Sequence, residues 1–313
     1  MYFKLESYDF LNNLSEQKIN QKDILLALQK CYQNCAFSTF PYIIKNKNSV
    51  DSLKKYNSGN CVALSLYLKF LLKDMGINSY LIPATIPESF SFKNFLRISH
   101  VALAIPKNKS KIYIADPAFY FINPIKFIYP SKKENYIYSK NIYINEHNSD
   151  PKDYKSINKI YYSNYKSNKE MKFNKYQIIP ENTYYTECYL DSNTNDKWKY
   201  FLIEVKNPDK AISNFFCNIK NRPLIISTTL DKNGICSAYY DIRIKKDFLV
   251  IKYQNKTIKK IFFEEIKNNP TYFKNYILKE LDLGKFFDSE MLEGIVEYVN
   301  EESKYRNNLL ISD

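Results

Sequence analysis

The chain has 313 residues, 45% of them hydrophobic, so it is globular in class and long enough to bury a sizeable core in one large domain or several small ones. Its net charge of +13, from 46 Lys and Arg against 33 Asp and Glu, biases the surface toward anionic partners, although abundant Asn, Lys, Ile and Tyr also fit coding by an AT-rich genome such as that of a parasite, some bacteria or a large DNA virus. No apolar run approaches the roughly 20 residues of a membrane span, and charge comes too early in Met1-Tyr2-Phe3-Lys4-Leu5-Glu6 for a secretory signal, so no membrane partner is expected and a reducing, cytoplasmic setting is the default.

Residues 2–14 alternate aromatic and polar groups, as a short strand or helix packed back on the body would. Asn20 and Asp23 resemble a capping arrangement for a helix carrying Ile24, Leu25, Leu28 and Cys31. Cys31 and Cys35 would share a face if that helix runs on, as two buried hydrophobes. Pro41 is expected to end this region, and Ser49 to cap a brief helix over 50–56. After Cys61, Leu64, Leu68, Leu71, Leu72 and Met75 recur at helical spacing, with a stop at Gly76. From Tyr80 the character turns to β-branched and aromatic runs broken by prolines. Phe90, Phe92 and Phe95 then precede His100, as core residues or as the wall of an acceptor pocket.

Residues 101–105 and 111–115 read as two strands of an antiparallel hairpin across Pro106-Lys107-Asn108-Lys109-Ser110. A turn centred on Asn108 puts His100 directly opposite Asp116, whereas a slip of one residue would send the two to opposite faces. Residues 151–176 carry seven lysines among tyrosines and read as a solvated excursion, so a nucleic-acid partner is not expected. Strands are predicted over 183–190, 198–205, 224–230, 236–244 and 248–253, with Asn233-Gly234 as a hairpin turn. Leu292, Ile295, Val296 and Val299 return to helical spacing.

Chemistry concentrates between Asn57 and Pro117. Cys61, His100 and Asp116 are the residue types of a thiolate nucleophile, its general base and the carboxylate that orients the base. A cysteine starting a helix meets unsatisfied backbone N–H groups and the positive dipole end, so its pKa is expected below the roughly 8.5 of a free thiol. Ser58 and Gly59 are small and leave room for a substrate. His147, in a polar stretch, is the only competing base. The six cysteines have no CxxC pair and only two histidines beside them, so no metal is expected.

A helix-starting Cys, then His on a strand and Asp on the next, is similar to papain-like enzymes of the arylamine N-acetyltransferase and transglutaminase-like superfamily. The order and separations of Cys61, His100 and Asp116 resemble the arylamine N-acetyltransferases in particular. Tyr2-Phe3-Lys4-Leu5 and Ala36-Phe37-Ser38-Thr39 resemble that family's opening, and Trp198, Tyr200, Phe201 and Asn207-Pro208-Asp209 its third domain. The chain departs from the family where Asn57-Ser58-Gly59 stands for Arg-Gly-Gly, Phe37-Ser38-Thr39 for Phe-Glu-Asn and Asp116-Pro117-Ala118-Phe119 for Asp-x-Gly-Phe. Gly59-Asn60-Cys61 and Asp116-Pro117 look closer to general transglutaminase-like domains.

The resemblance implies an α+β, papain-like fold with a helical lobe over 1–80, an antiparallel β-barrel-like lobe over 81–206 and a C-terminal sheet-plus-helix lobe over 207–313. It further implies Cys61, His100 and Asp116 as the catalytic triad and Phe37, Gly59 and Phe119 at the substrate site. Acetyl-CoA would be the acyl-donor substrate and a small-molecule amine the acceptor. Two alternatives stay open: an amidase, peptidase or crosslinking enzyme on the same triad, and a non-catalytic binding protein on this fold.

Overall fold

A computed structural model describes residues 15–86, 98–108, 110–119, 121, 124–128, 135–144, 151–162, 172–174, 177–178, 184–189, 197–205, 225–230, 236–244, 247–253 and 256–310. The predicted features at 1–14, Phe90, Phe92, Phe95, His147, Asn207-Pro208-Asp209 and Asn233-Gly234 lie outside these residues.

The chain begins with helices because its caps and apolar spacing agree. In α1 (Gln21–Asn34) the Asn20 side chain accepts from Asp23 N and Asp23 reaches back to Asn20 N, while Ile24, Ala27, Leu28, Cys31 and Tyr32 form the buried face. A short strand, β1 (Ala36–Ser38), leads into α2 (Phe40–Lys45). Pro41 therefore opens a helix instead of closing one, since its fixed φ suits the first turn. The cap of α3 (Ser49–Tyr56) is Asn48, one residue before the predicted Ser49, and Ser49 is buried.

Strand β2 (Ser58–Gly59) follows, and then α4 (Cys61–Asp74), which buries Cys61, Val62, Ala63, Leu64, Ser65, Leu68 and Leu72. Gly76, at φ 73°, lets Ile77 N and Gly76 N return to Leu72 O and Lys73 O, which closes α4 where the glycine predicted a stop.

Three further strands, β3 (Tyr80–Thr85), β4 (Ile98–Asn108) and β5 (Lys111–Ala115), are joined by β6 (Ile125–Ile128) and β7 (Asn135–Ile144). Strand β8 (Pro151–Tyr162) occupies the first 12 residues of the segment expected to be a solvated excursion. Tyr154, Ile157, Ile160, Tyr161 and Tyr162 have strand chemistry, and antiparallel pairing with β7 satisfies the backbone, which outweighs the lysines. A small pair, β9 (Lys172–Asn174) and β10 (Gln177–Ile178), precedes β11 (Tyr184–Tyr189) and β12 (Lys197–Phe201). The resulting eight-stranded antiparallel sheet runs β6-β5-β4-β3-β12-β11-β8-β7, and its two ends approach one another.

The second sheet contains β13 (Ile225–Leu230), β14 (Cys236–Ile244), β15 (Phe248–Tyr253) and β16 (Lys256–Phe262), and it continues through β1 to β2. Strands from before residue 80 thus complete the C-terminal sheet. Helices α5 (Phe263–Asn268), α6 (Pro270–Asn275) and α7 (Ser289–Leu310) cover it, with a π-helical turn at Tyr276–Glu280. Close approach of α7 to α2 needs Gly294, because a Cβ there would stand 2.4 Å from Ile44 Cγ2. Among the described residues no helix is long and apolar enough to cross a membrane.

Strand β4 is buried on both faces over most of its length. Val101, Leu103 and Ile105 join the core made by α1 and α4, while Ala102 and Ala104 join a second core with Phe119, Trp198 and Tyr200. The period of two in a strand assigns His100 to the second set. Mixed helices and antiparallel sheets in this arrangement make the fold α+β.

Candidate active site

The site is assembled where the two sheets meet. Strand β2, held parallel to β1 by Ala36–Ser58 and Phe37–Gly59 pairing, delivers the chain to Asn60 and then to Cys61 at the first position of α4. The first turn of α4 is nearly saturated: Asn60 Oδ1 accepts from Val62 N at 3.0 Å and Ala63 N at 3.2 Å, and Asn60 O from Leu64 N at 3.1 Å. No such bond from Cys61 N is found among the described residues.

Strands β4 and β5 bring the other two groups. Their pairing, Leu103 with Ala115 and Ala104 with Ile114, runs two residues out of the predicted register, so Asp116 does not lie directly opposite His100. A shift of two preserves the face, and diagonal neighbours remain within side-chain reach. His100 Nε2 lies 2.6 Å from Asp116 Oδ2. The turn tightens around Asn108, whose Oδ1 accepts from Ser110 N and Ser110 Oγ, both at 3.0 Å.

Cys61 lies close enough to His100 for its side chain to help raise the imidazole pKa. With Nε2 committed to Asp116, Nδ1 is the ring nitrogen left for the thiol. Cys61 and His100 are each 3% exposed and Asp116 is 0% exposed. Burial works to lower the His100 pKa, but the charge and hydrogen bond of Asp116, with those of Cys61, outweigh it and carry the imidazole up to about 10. The arrangement thus favours a protonated imidazole between a thiol group and a carboxylate.

Asp116 is held by four donors. Besides His100, Tyr200 Oη donates to Oδ2 at 2.5 Å, and Ala118 N and Phe119 N donate to Oδ1 at 3.2 and 3.3 Å. Burial and the adjacent Asp116 charge hold the Tyr200 phenol well above its usual range, so it remains a donor. Phe119 meets the His100 ring edge-on at 4.9 Å and stacks on Trp198 at 5.3 Å. Of the three residues expected at the substrate site, Phe119 touches His100 directly. Phe37 packs half-buried against the α1–α4 core. Gly59 is enclosed: a Cβ there would meet Ala63 Cβ at 2.5 Å and Tyr42 Oη at 2.7 Å, so its missing side chain makes room for protein atoms.

Sequence reasoning did not assign Tyr200, Asn60, Tyr42 or Ser49 to this site. An N-cap residue immediately before a candidate nucleophile was a legible signal for Asn60, whereas nothing local marks Tyr200, 84 residues from Asp116.

Solved structures of arylamine N-acetyltransferases share this fold at low sequence identity. The enzyme from Mycobacterium abscessus matches with 11% identity over 95% of this chain and 95% of its own, at a TM-score of 0.55. One from Bacillus cereus, described as having a Cys-His-Glu catalytic triad, matches with 13% identity over 87% of this chain and 94% of its own, at 0.51. One from Salmonella typhimurium matches with 12% identity over 92% and 98%, at 0.51. No protein-family model and no curated protein sequence matches the chain. The chain accordingly has the papain-like fold of the arylamine N-acetyltransferases.

Proposed function

We propose that the chain is a cysteine-dependent acyltransferase that moves an acetyl or other acyl group from acyl-CoA to an amine through a Cys61 thioester. The observation that carries this reading is the buried His100–Asp116 pair, 2.6 Å apart, with Cys61 at the start of α4 near enough to act on that imidazole. In the first half-reaction Cys61 attacks the acyl carbonyl as the thiolate of a thiolate–imidazolium pair, its proton already resting on His100. Asp116 fixes the ring and stabilises imidazolium, with Tyr200, Ala118 N and Phe119 N holding the carboxylate in turn. The Cys61 N–H, for which no hydrogen bond is found among the described residues, is the donor assigned to the developing oxyanion, a contact worth about 3–4 kcal/mol in related chemistry.

Collapse breaks the carbon–sulfur bond to coenzyme A, whose sulfur receives the proton from His100. In the second half-reaction the amine attacks the thioester, gives its proton to His100 and releases the Cys61 thiolate. The excess of basic residues suits a polyanionic donor, and a reducing compartment keeps the thiol free.

The test is donor labelling. The protein incubated with acetyl-CoA should release one equivalent of free coenzyme A in a burst, and an added arylamine should then appear as its amide. Labelling by a glutamine side-chain donor with no such burst would redirect the same triad to amide chemistry. No acylation by either donor would leave a binding protein on this fold.

A further inference from the structure

Behind Cys61 lies a closed ring of buried hydroxyl and amide groups. Asn60 N donates to Tyr42 Oη at 3.0 Å, Tyr42 Oη to Ser49 Oγ at 2.9 Å, and Ser49 Oγ to Asn60 Oδ1 at 2.9 Å. Tyr42 belongs to α2, Ser49 opens α3 and Asn60 caps α4, so the ring ties three helices at one point. Gly59 admits the tyrosine hydroxyl, since any Cβ there would collide with it.

The amide of Asn60 cannot turn over. Two backbone N–H groups and the Ser49 hydroxyl all donate to Oδ1, and among the described residues the buried Nδ2 finds no partner. An orphaned buried donor is a cost that native proteins tolerate rarely, and it calls for a reason. An aspartate would accept the same three bonds with no orphan, but it would set a carboxylate beside the nucleophile and oppose a thiolate there. Serine or threonine would cap the helix yet fall short of Ser49. Asparagine alone caps α4, closes the ring and stays neutral.

We propose that Asn60, through its ring with Tyr42 and Ser49, is a positioning residue that holds the start of α4 so that the Cys61 N–H and Sγ together face the reacting carbonyl. This rests on the acyl-transfer reading above. None of the three residues touches the reacting atoms in this account. They act through the placement of Cys61.

Tyr42→Phe, Ser49→Ala and Asn60→Ser each open the ring. The last keeps a first-turn cap and therefore a folded helix start. Each variant is compared with wild type in two reactions: single-turnover acylation of Cys61 by whichever donor acylates the wild type, and alkylation of Cys61 by iodoacetamide, with folding checked by thermal melt. Acylation should fall about 10²-fold in each variant, the effect of roughly 1 Å of misplacement, while alkylation, which uses no oxyanion contact, stays near wild type. The Tyr42→Phe/Ser49→Ala pair should be no slower than the slower single change, because members of one ring do not add.

Wild-type acylation rates in folded variants with a lowered Tm would overturn the inference and leave the ring a structural cap. Parallel loss of acylation and alkylation would overturn it too, as general loosening. A wild type that no donor acylates defeats the acyl-transfer reading itself, before any variant is made, and this inference with it.

Discussion

Cys31 and Cys35 close α1, and Cys61 opens α4, the helix packed against it; all three are buried. Burial pushes the Cys31 thiol well above its usual range, with Cys35 adding to it, and pushes Cys35 up to about 12 against a small opposing pull from Lys285. These two sit at the negative end of a helix, and among the described residues no histidine acts on either. Cys61 sits at the positive end of its helix, close to a histidine whose pKa Asp116 raises. In the proposed account the same residue type in the same core is filler in one place and the nucleophile in the other, and the difference lies in which helix end it occupies and what faces it.

The largest effects should come from exchanging these roles. Cys61→Ala should abolish acylation outright, whereas Cys31→Ala should leave turnover intact and cost about 1 kcal/mol of stability from the lost buried sulfur, read from denaturant curves. Asp116→Asn should keep the shape of the site but present the wrong hydrogen-bonding partner to His100. By analogy with serine triads the acylation rate should drop by about 10⁴-fold.

Tyr200→Phe removes one of four donors to Asp116 and should lower the acylation rate about tenfold, with about 1–2 kcal/mol of stability lost from the buried hydrogen bond. A melt of that variant showing unchanged stability and unchanged rate would remove Tyr200 from the account. The pH dependence of stability sharpens the comparison further. The His100 pKa is raised in the folded state, so its contribution is fully present below its ordinary value of 6.5 and is lost as pH climbs through about 10. Stability should therefore decline across that window, and His100→Gln should flatten the decline. The smallest effect is expected at Gly76, at the far end of α4. With φ at 73° and no heavy atom of the described residues within 4 Å of a Cβ placed there, Gly76→Ala should cost about 1 kcal/mol and spare acylation.

Local chemistry in the sequence already indicated much of the helical lobe. Asn20 with Asp23 marked the start of α1, and Cys61 with Gly76 bracketed α4, because caps and apolar spacing act within a few residues. The triad residues were legible as types in order, but their meeting was not. The hairpin register came out two residues from the expected one, and only the strand period of two kept His100 and Asp116 on one face. Tyr200 and the Tyr42–Ser49–Asn60 ring were invisible for a different reason. Each depends on pairing between distant elements, β12 beside β3 and α2 beside α4, which no local pattern encodes. Strand β8 was missed because lysines dominated a segment whose tyrosines and isoleucines pair with β7 and β11.

The most direct test of the central claim is peptide mapping after incubation with acetyl-CoA, followed by iodoacetamide labelling of the folded protein. The account predicts one acetyl group on Cys61, loss of its alkylation, and Cys31 and Cys35 unmodified in both steps. Acetylation confined to surface lysines, with Cys61 no more reactive than Cys31 before or after the donor is added, would contradict it.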